Sequence, residues 1–533
     1  MEKIKVLSDC RGLYEQEILQ SILMDRGIND YDKFINPTED DILPYESLPN
    51  IDKAVDLLHK MVTENKKICT LSDTDSDGIS SGTTMTRYLR DLGIDADTFI
   101  DSGKKHGLDR RESYYSKLTD YNLLIIVDSL NSSTDEYQEL AEHGVQIIVL
   151  DHHEVNPEIP YDKYITLVTS ATTYENHDLS GSGVTWKFCK YYDIKYDTDF
   201  ADNYLDLCAT GIVADVMSMR VPENRYLVGQ GLAKLNNLCM KKMVGSYEFN
   251  STAVSFSVAP MVNAANRMSE NASILDAFLS DDNKQVLADL RVIKKARKQQ
   301  NEKVDEEVPK AEEQFEDQKD SHILFFQLEG IGGLSGLIAQ KLASKYNRPS
   351  IVVSPCDGML KGSGRCPWDI PLMKMINDSG LAKAMGHPQS FGFEINFGAN
   401  INDFISTMNK QLDSIELDDS IVVDVAVNQG DLTFDLESKI HALDFVSGKG
   451  WKPITFLVED IDNYEVTTMK DGKHLKLSTD SVDYIKWNST YPIDEFEDAS
   501  LMNIPVTCIG TLSAGGWAYK KLQLICDHMI IQN

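Results

Sequence analysis

The chain of 533 residues is strongly acidic, because 84 aspartates and glutamates outnumber 52 lysines and arginines and give a net charge of −32. Its length predicts two to four domains of about 100–200 residues. Its 42% hydrophobic and 26% charged content excludes fibrous and disordered classes. The charge also argues against a general nucleic-acid coat protein, although it leaves room for an enzyme with a local basic groove.

The N-terminal residues and the cysteines indicate the compartment. The first residues lack the apolar core of a signal peptide, and no run of about 18 apolar residues predicts a membrane-spanning helix. The 9 cysteines are scattered without a CxxC pair, which argues against a zinc site or a disulfide framework. We therefore expect a cytoplasmic protein without a membrane partner.

A regular alternation of helices and strands is predicted to begin near residue 51, after an N-terminal segment of short helices and turns. Continuous apolar runs separated by helices indicate a parallel sheet that is covered on both faces. The predicted elements are helices 52–65 and 81–92 and strands 67–71, 123–127 and 145–150.

Acidic side chains follow each of these three predicted strands. Because ligands bind at the carboxyl ends of the strands in an open parallel sheet, we expect these side chains to converge. Asp215, in the apolar segment 211–216, is a further candidate for this cluster. The strand-end residues are Asp73, Asp75 and Asp77 after the first strand, Asp128 after the second, and Asp151, His152 and His153 after the third.

Clustered carboxylates point to bound divalent cations. Neighbouring like charges raise one another's pKa, and a cation removes that cost. Oxygen ligands with one imidazole suit Mn²⁺ or Mg²⁺ better than zinc. Two cations about 3.5–4 Å apart that share a carboxylate would clamp an in-line attack on phosphorus. For any single acid, a helix cap or a turn is the alternative; a calcium loop at 73–84 is disfavoured because Thr84 replaces its final glutamate.

The second half of the chain is predicted to contain three further parts. Residues 284–318 form one long polar helix, basic in its first half and acidic in its second, that connects domains. Strands 323–326 and 350–353 flank a helix at 335–346 in a second α/β segment. Beyond residue 416, alternating apolar and polar residues predict a small antiparallel barrel or sandwich.

The strand-end motifs resemble those of the DHH phosphoesterase superfamily, in the order 73–78, 127–128, 151–153 and 211–215. The stretches 179–184, 259–267 and 361–365 and the pair 386–387 extend the resemblance over nearly the whole chain, to the RecJ family of single-strand-specific 5′→3′ DNA exonucleases. The implied parts are an N-terminal segment with a parallel-sheet DHH catalytic domain (1–270), a connecting helical segment (271–320), a smaller α/β DHH-associated substrate-binding domain (321–415) and an antiparallel OB-like barrel (416–533).

The resemblance implies two divalent cations, with Mn²⁺ preferred and Mg²⁺ as the alternative. His153 is expected to orient the attacking water, contact the scissile phosphate or protonate the leaving oxygen, and a purely structural role stays open. Asp151 is expected to position the two histidines. The implied ligands are Asp73 and Asp75 for one cation, Asp77, His152 and Asp215 for the other, and Asp128 as the bridge.

A Gly-Ser-Gly-Arg segment is expected to bind an anion, because its backbone N–H groups are accessible and Arg365 offers a bidentate fork. By resemblance, Ser363, Gly364 and Arg365 would hold the 5′ phosphate of the substrate. Arg267 would contact backbone phosphates or stabilise charge in the transition state. His387 would either meet the substrate or only pack.

The segment 102–108 departs from the family pattern, since His106 stands where the family has a tyrosine that would stack on a base. Asn266 replaces a usual glycine in the stretch that ends in Arg267. These changes concern the grip on the 5′ end and leave the metal ligands untouched.

The resemblance implies a two-metal exonuclease of DNA repair or recombination that releases mononucleotides from the 5′ end of single-stranded DNA. It would act in a bacterial or phage-infected cell, with a single-strand-binding protein or a helicase as candidate partners. Two alternatives stay open: a DHH phosphodiesterase for short oligonucleotides or cyclic dinucleotides, and a non-catalytic replication or repair scaffold. The predicted barrel and long connector disfavour the first, and the complete set of ligands disfavours the second.

Overall fold

The computed structural model describes residues 3–102, 107–356, 358–415, 420–470, 472–515 and 521–532. The strands are β1 (Ile4–Asp9), β2 (Ile68–Ser72), β3 (Asp97–Ile100), β4 (Leu123–Val127), β5 (Gln146–Asp151), β6 (Thr166–Thr169), β7 (Leu324–Gln327), β8 (Ser350–Cys356), β9 (Met359–Arg365), β10 (Ala382–His387), β11 (Ser390–Ile395), β12 (Ile421–Val427), β13 (Thr455–Ile461), β14 (Glu465–Met469), β15 (His474–Ser478), β16 (Val482–Lys486), β17 (Val506–Ala514) and β18 (Leu522–Ile531).

The α-helices of the described residues vary widely in length. None of them combines the length and the apolar character that a bilayer crossing requires. They are α1 (Glu15–Asp25), α2 (Tyr31–Ile35), α3 (Ile51–Thr63), α4 (Ser76–Asp91), α5 (Asp135–Glu142), α6 (Gly181–Tyr196), α7 (Leu205–Ala214), α8 (Pro222–Ala233), α9 (Leu238–Val244), α10 (Ser251–Ala253), α11 (Ala259–Arg267), α12 (Asn271–Leu279), α13 (Asn283–Glu312), α14 (Ser335–Tyr346), α15 (Leu372–Asp378), α16 (Ile401–Leu412), α17 (Phe434–Asp444) and α18 (Ile493–Leu501).

The chain packs as two compact units. The first comprises Met1–Val262, Leu275–Leu287 and Ser420–Asn533, and the second comprises Asn263–Ile274 and Ala288–Asp419. The bounds of the four domains drawn from the sequence stay predictions.

A five-stranded parallel sheet organises the first unit, in the order β3-β2-β4-β5-β6. Every residue of β2 and β4 is buried. Leu71 of β2 lies in an apolar cluster with Leu140 of α5, whereas Ser72 lies so close to Gly82 of α4 that a Cβ at Gly82 would meet the Ser72 side chain at 2.5 Å. Because successive strand residues face opposite sides, helices cover both faces. The predicted covered parallel sheet is confirmed.

The second unit contains a five-stranded mixed sheet in the order β10-β11-β9-β8-β7, in which only the β7–β8 pair is parallel among the described residues. Helix α14 has the predicted bounds. Val304 and Ala311 of α13 are buried in one apolar cluster with Ile338 and Leu342 of α14. This packing fixes the C-terminal half of the long helix against the smaller α/β sheet.

An eight-stranded sheet completes the first unit, in the order β1-β12-β13-β17-β18-β16-β15-β14. Its antiparallel pairs are β13–β17, β17–β18, β14–β15 and β15–β16, and the other three pairs are parallel. The expectation of only short helices and turns before residue 51 is wrong at β1, which pairs with β12. Within the described strands the order ends at β1 and β14, so a closed OB-like barrel stays a prediction.

Candidate metal centre and anion site

The side chains predicted at the strand ends lie together at the carboxyl edge of the central parallel sheet. The ligand atoms of three groups of residues each lie within 4.8 Å of one another. Asp128 belongs to two of the groups, and so does His152. The groups are Asp73, Asp75 and Asp128; Asp77, His152 and Asp215; and Asp128, His152 and His153.

The first acidic stretch is placed by the start of α4. Asp75 caps this helix, since its Oδ1 accepts hydrogen bonds from the backbone N–H groups of Asp77 and Gly78 at 3.0 Å. A helix cap was the alternative role predicted for any single acid of this stretch. Asp75 has that role and also belongs to the carboxylate cluster.

The N-terminus of α6 holds the carboxylate of Asp77. Its two oxygens accept hydrogen bonds from Gly181 N at 2.7 Å, Ser182 N at 3.0 Å and Ser180 Oγ at 3.0 Å. The free N–H groups and the dipole of a helix N-terminus favour a negative charge there. Sequence reasoning assigned no role to Ser180, Gly181 and Ser182, although a capping serine followed by glycine was a usable signal.

Two glycines let the helices approach the carboxylates closely. A Cβ at Gly211 of α7 would lie 2.0 Å from Asp77 Oδ1, and a Cβ at Gly181 would lie 2.4 Å from Asp128 Oδ1. Asp128 itself adopts a left-handed backbone with φ of 58°, a conformation that aspartate tolerates better than most residues. The position of these acids therefore depends on small neighbours and on a turn directly after β4.

His152 faces three carboxylates. Its Nε2 lies 3.3 Å from Asp128 Oδ1, 3.4 Å from Asp215 Oδ2 and 3.9 Å from Asp77 Oδ2. Burial lowers the pKa of His152, and this effect outweighs the nearby acids, which would raise the pKa. A neutral imidazole is the form that binds a metal ion.

The acids carry a large electrostatic cost that a cation would remove. Burial, and then the charges of Asp77, Asp75 and Asp73, raise the pKa of Asp128 well above its usual range. Burial, and then Asp77 and Asp75, raise the pKa of Asp215 to about 8. Asp128 Oδ1 is buried without a hydrogen-bond donor in the described part of the chain. A divalent cation fits this donor set, because it supplies the missing partner and the missing charge.

His153 is held in a different way from His152. Its Nδ1 lies 2.8 Å from Oδ1 of the fully buried Asp151, while its ring is partly exposed. Burial alone would lower the pKa of His153, but the hydrogen bond to Asp151 and the nearby acids raise it to about 9. The hydrogen bond to Asp151 therefore favours the protonated imidazole of His153, which lies next to the carboxylate cluster.

Two arginines of the second unit, Arg267 and Arg365, form the candidate anion site. Burial lowers the pKa of Arg365, and the charge of Arg267 lowers it further, so the two groups lie within electrostatic range of each other. Among the described residues neither arginine has an acidic partner within salt-bridge distance. Ser363 Oγ lies 3.0 Å from Ser335 Oγ at the start of α14. A Cβ at Gly336 would lie 2.8 Å from Arg365 Nη2.

Sequence reasoning missed Ser335 and Gly336, although a Gly- and Ser-rich run before a predicted helix is a known anion-binding signal. Gly364 lies in the middle strand β9, where the lack of a side chain makes room for the ring of Phe391. His387 is exposed at the end of β10. His106 lies outside the described residues, so its predicted role stays a prediction.

Adding Mn²⁺ to the cation-free protein is expected to raise its thermal unfolding temperature. Binding to the folded state alone stabilises it by about 2.7 kcal/mol at a cation concentration of 100 times Kd, which corresponds to roughly 2–3 °C for a chain of this length. Differential scanning fluorimetry with and without Mn²⁺, at matched ionic strength, measures this shift. An unchanged midpoint at millimolar Mn²⁺ would contradict the assignment of the cluster as a cation site.

Comparison with known proteins finds a domain match and two relatives that are similar over nearly the whole chain. The DHH family, N-terminal domain, matches residues 67–212. The SPbeta prophage-derived protein YorK of Bacillus subtilis (strain 168), provisionally named a single-strand DNA-specific exonuclease, is 27% identical over 95% of this chain and 95% of its own length. The single-stranded-DNA-specific exonuclease RecJ of the same organism is 24% identical over 98% of this chain and 68% of its own.

A solved structure supports the same fold. RecJ of Thermus thermophilus in complex with Mn²⁺ superposes with a TM-score of 0.77 at 21% identity, over 100% of this chain and 80% of that one. The order of the motifs, the parallel sheet and these matches agree. Residues 67–212 match the DHH family, N-terminal domain, and the chain has the fold of RecJ.

Proposed function

We propose that this protein is a cation-dependent exonuclease that hydrolyses the phosphodiester bonds of single-stranded DNA from the 5′ end and releases mononucleotides. The proposal rests on the cluster of five aspartates and His152 at one sheet edge. Asp128 forms one ligand group with Asp73 and Asp75. It also lies 3.3 Å from His152, which forms the other group with Asp77 and Asp215. The substrate class comes from the relatives, which are named as single-strand-specific DNA exonucleases.

The cluster suits a pair of divalent cations. Asp73 and Asp75 would hold one and Asp77, His152 and Asp215 the other, with Asp128 shared. Bound there, such ions lower the pKa of a water molecule and neutralise charge on the phosphate. RecJ of Thermus thermophilus has been solved with Mn²⁺ and with Mg²⁺, and we propose the same two ions, with Mn²⁺ preferred.

The protein's own groups supply the proton and the orientation. We propose that His153, held by Asp151, donates a proton to the departing 3′ oxygen. Cleavage at that oxygen leaves a phosphate on the 5′ end of the shortened strand. Asp77 keeps its position through the N-terminus of α6, so the ligand geometry does not have to be formed at each turnover.

The anion site of the second unit is proposed to bind the 5′ phosphate of the substrate. Arg365 and Arg267 provide two positive charges without an acidic partner among the described residues, and the hydroxyl groups of Ser363 and Ser335 lie beside Arg365. Because each cleavage regenerates a 5′ phosphate, the shortened strand meets the same site again. His387 and Gly364 remain proposed contacts of this domain with the substrate.

Replacing Arg365 with glutamine is expected to remove the preference for a 5′-phosphorylated substrate. A hydrogen bond to a charged group contributes about 1.5–3 kcal/mol, so kcat/KM on 5′-phosphorylated DNA should fall roughly 10- to 100-fold. Activity on DNA with a 5′ hydroxyl should change little. The matched control is Arg111→Gln, which removes an exposed guanidinium paired with Asp109. An equal loss on both substrates would contradict the phosphate assignment.

The proposed substrate class is tested by comparing rates on four substrates in Mn²⁺. Long single-stranded DNA should be degraded at least about 100-fold faster than blunt duplex DNA, a linear dinucleotide or a cyclic dinucleotide, a difference of more than 2 kcal/mol in transition-state binding. Faster cleavage of the dinucleotides would instead identify an oligonucleotide phosphodiesterase. Binding of DNA without hydrolysis of any substrate would identify a scaffold.

A partner is proposed to deliver the substrate, since the net charge of −32 opposes the approach of DNA over most of the surface. A single-strand-binding protein or a helicase in the cytoplasm of a bacterial or phage-infected cell would produce and present single strands. Stimulation of degradation by a cognate single-strand-binding protein supports this, and inhibition at every concentration contradicts it.

A further inference from the structure

The first half of α13 carries an uninterrupted set of exposed basic side chains, which we name the basic face. The spacings of three, four and seven residues bring these side chains to one side of the helix. The buried residues Ile293, Ala296 and Gln300 lie on the opposite side. The basic face consists of Arg291, Lys294, Lys295 and Lys298, all exposed.

The acidic half of the same helix has a structural use. Asp305 pairs with Lys341 at 2.6 Å, and Glu312 pairs with Lys345 at 2.6 Å, so two acids of α13 bind two lysines of α14. In the described part of the chain, the basic face has one ion pair, at 3.5 Å between Lys298 and Glu302. Two acids of the acidic half therefore stabilise the packing of α13 against α14. The described structure shows no comparable packing role for the basic face.

The basic face has the character of a binding surface for a polyanion. Like charges three and four residues apart destabilise a helix, and no acid lies between residues 291 and 298 to relieve them, in a chain whose net charge is −32. Over these seven residues the helix rises about 10 Å, a length that presents several charges in a row. A single-stranded backbone offers a matching row of phosphates.

We propose that the basic face binds the phosphate backbone of single-stranded DNA, at nucleotides additional to those bound at the cation cluster and the anion site. The identity of the polyanion rests on the proposed function. Three flexible lysines and one arginine would contact the phosphates through their charges. Such contacts do not distinguish between bases. They would increase affinity for long strands and leave the cleavage of very short ones unchanged.

The test is the salt dependence of DNA binding for a variant with Arg291, Lys294, Lys295 and Lys298 all replaced by glutamine. The control replaces four other exposed lysines of the second unit, Lys303, Lys319, Lys374 and Lys410, and changes the net charge by the same amount. Binding of fluorescent oligo(dT) is measured by anisotropy in EDTA, which prevents cleavage. Thermal unfolding checks that both variants fold.

In the basic-face variant, the slope of log K against log salt should become shallower by about 0.7 for each phosphate that is no longer bound, up to roughly 3 in total. The control should keep the parental slope, and all proteins should cleave a trinucleotide in Mn²⁺ at similar rates. Equal slopes for the two variants would overturn the basic face as a DNA-binding surface and leave the proposed function standing. If the parental protein neither binds nor cleaves single-stranded DNA, the proposed function itself fails.

Discussion

Asp128→Asn is expected to abolish cation-dependent hydrolysis and to leave the fold intact. Asp128 belongs to two of the three ligand groups, and its Oδ1 is buried without a donor in the described structure. An amide nitrogen cannot bridge two cations, so kcat/KM should fall by at least about 10³-fold, more than the loss of a single oxyanion-hole donor costs. The rate on single-stranded DNA in Mn²⁺ measures this effect.

The same substitution should not lower the stability of the cation-free protein. Burial and neighbouring acids disfavour the charged form of Asp128 and raise its pKa, so a neutral side chain of equal size relieves repulsion and the unfolding temperature should stay equal or rise. Asparagine also tolerates the left-handed backbone at this position. A marked loss of stability would show that the carboxylate acts in folding and would contradict the account.

Asp197→Asn is the matched control for this experiment. Asp197 is exposed and has a left-handed backbone with φ of 55°, close to the 58° of Asp128. The chemical change and the backbone conformation are therefore the same in both variants, and only the carboxylate cluster differs. Activity of the control should match that of the parental protein, and normal activity of Asp128→Asn would remove the basis for the two-cation assignment.

Gly211→Ala is expected to inactivate the protein although residue 211 carries no reactive group. The added Cβ would lie 2.0 Å from Asp77 Oδ1 and 2.1 Å from Ser182 Oγ, so one of them has to move. Displacement of a catalytic group by about 1 Å can cost 10²-fold in rate. The variant should lose activity of this size and most of the Mn²⁺-induced rise in unfolding temperature, measured on the same preparation.

Gly229→Ala provides the control for this prediction. Gly229 lies in α8, and the only neighbour of an added Cβ among the described atoms is Val446 Cγ2 at an ordinary 3.8 Å. Alanine is favoured over glycine inside a helix by about 1 kcal/mol, so this variant should be at least as stable as the parent and fully active. Full activity of Gly211→Ala would mean that Asp77 does not depend on the close approach of α7.

The convergence of the acids could be predicted from the sequence because it follows from one rule about parallel sheets. Asp73, Asp128 and Asp151 directly follow or end strands whose apolar runs are easy to recognise, so the strand-end rule brings them together. Asp215 follows a helix, α7, and no local pattern places it near the sheet. Its position in an apolar segment made it a candidate, and the resemblance to a known family implied its role as a ligand.

Other parts of the structure depend on contacts that no local pattern records. Strand β1 is a short alternating segment whose only partner among the described strands is β12, near the other end of the chain. The hydrogen bonds from Gly181 and Ser182 to Asp77 require the three-dimensional placement of α6. The same is true of Ser335, which reaches Ser363 only through the packing of α14 against β9.

The most direct test of the central claim is the degradation of single-stranded DNA labelled at its 3′ end, with Mn²⁺ as the cation. We expect a descending ladder of labelled fragments, no early release of labelled mononucleotide, and no reaction in EDTA or with Asp128→Asn. Immediate release of labelled mononucleotide would contradict the 5′ polarity. Unchanged DNA in the presence of bound Mn²⁺ would contradict the assignment of the cluster as a site for hydrolysis of DNA.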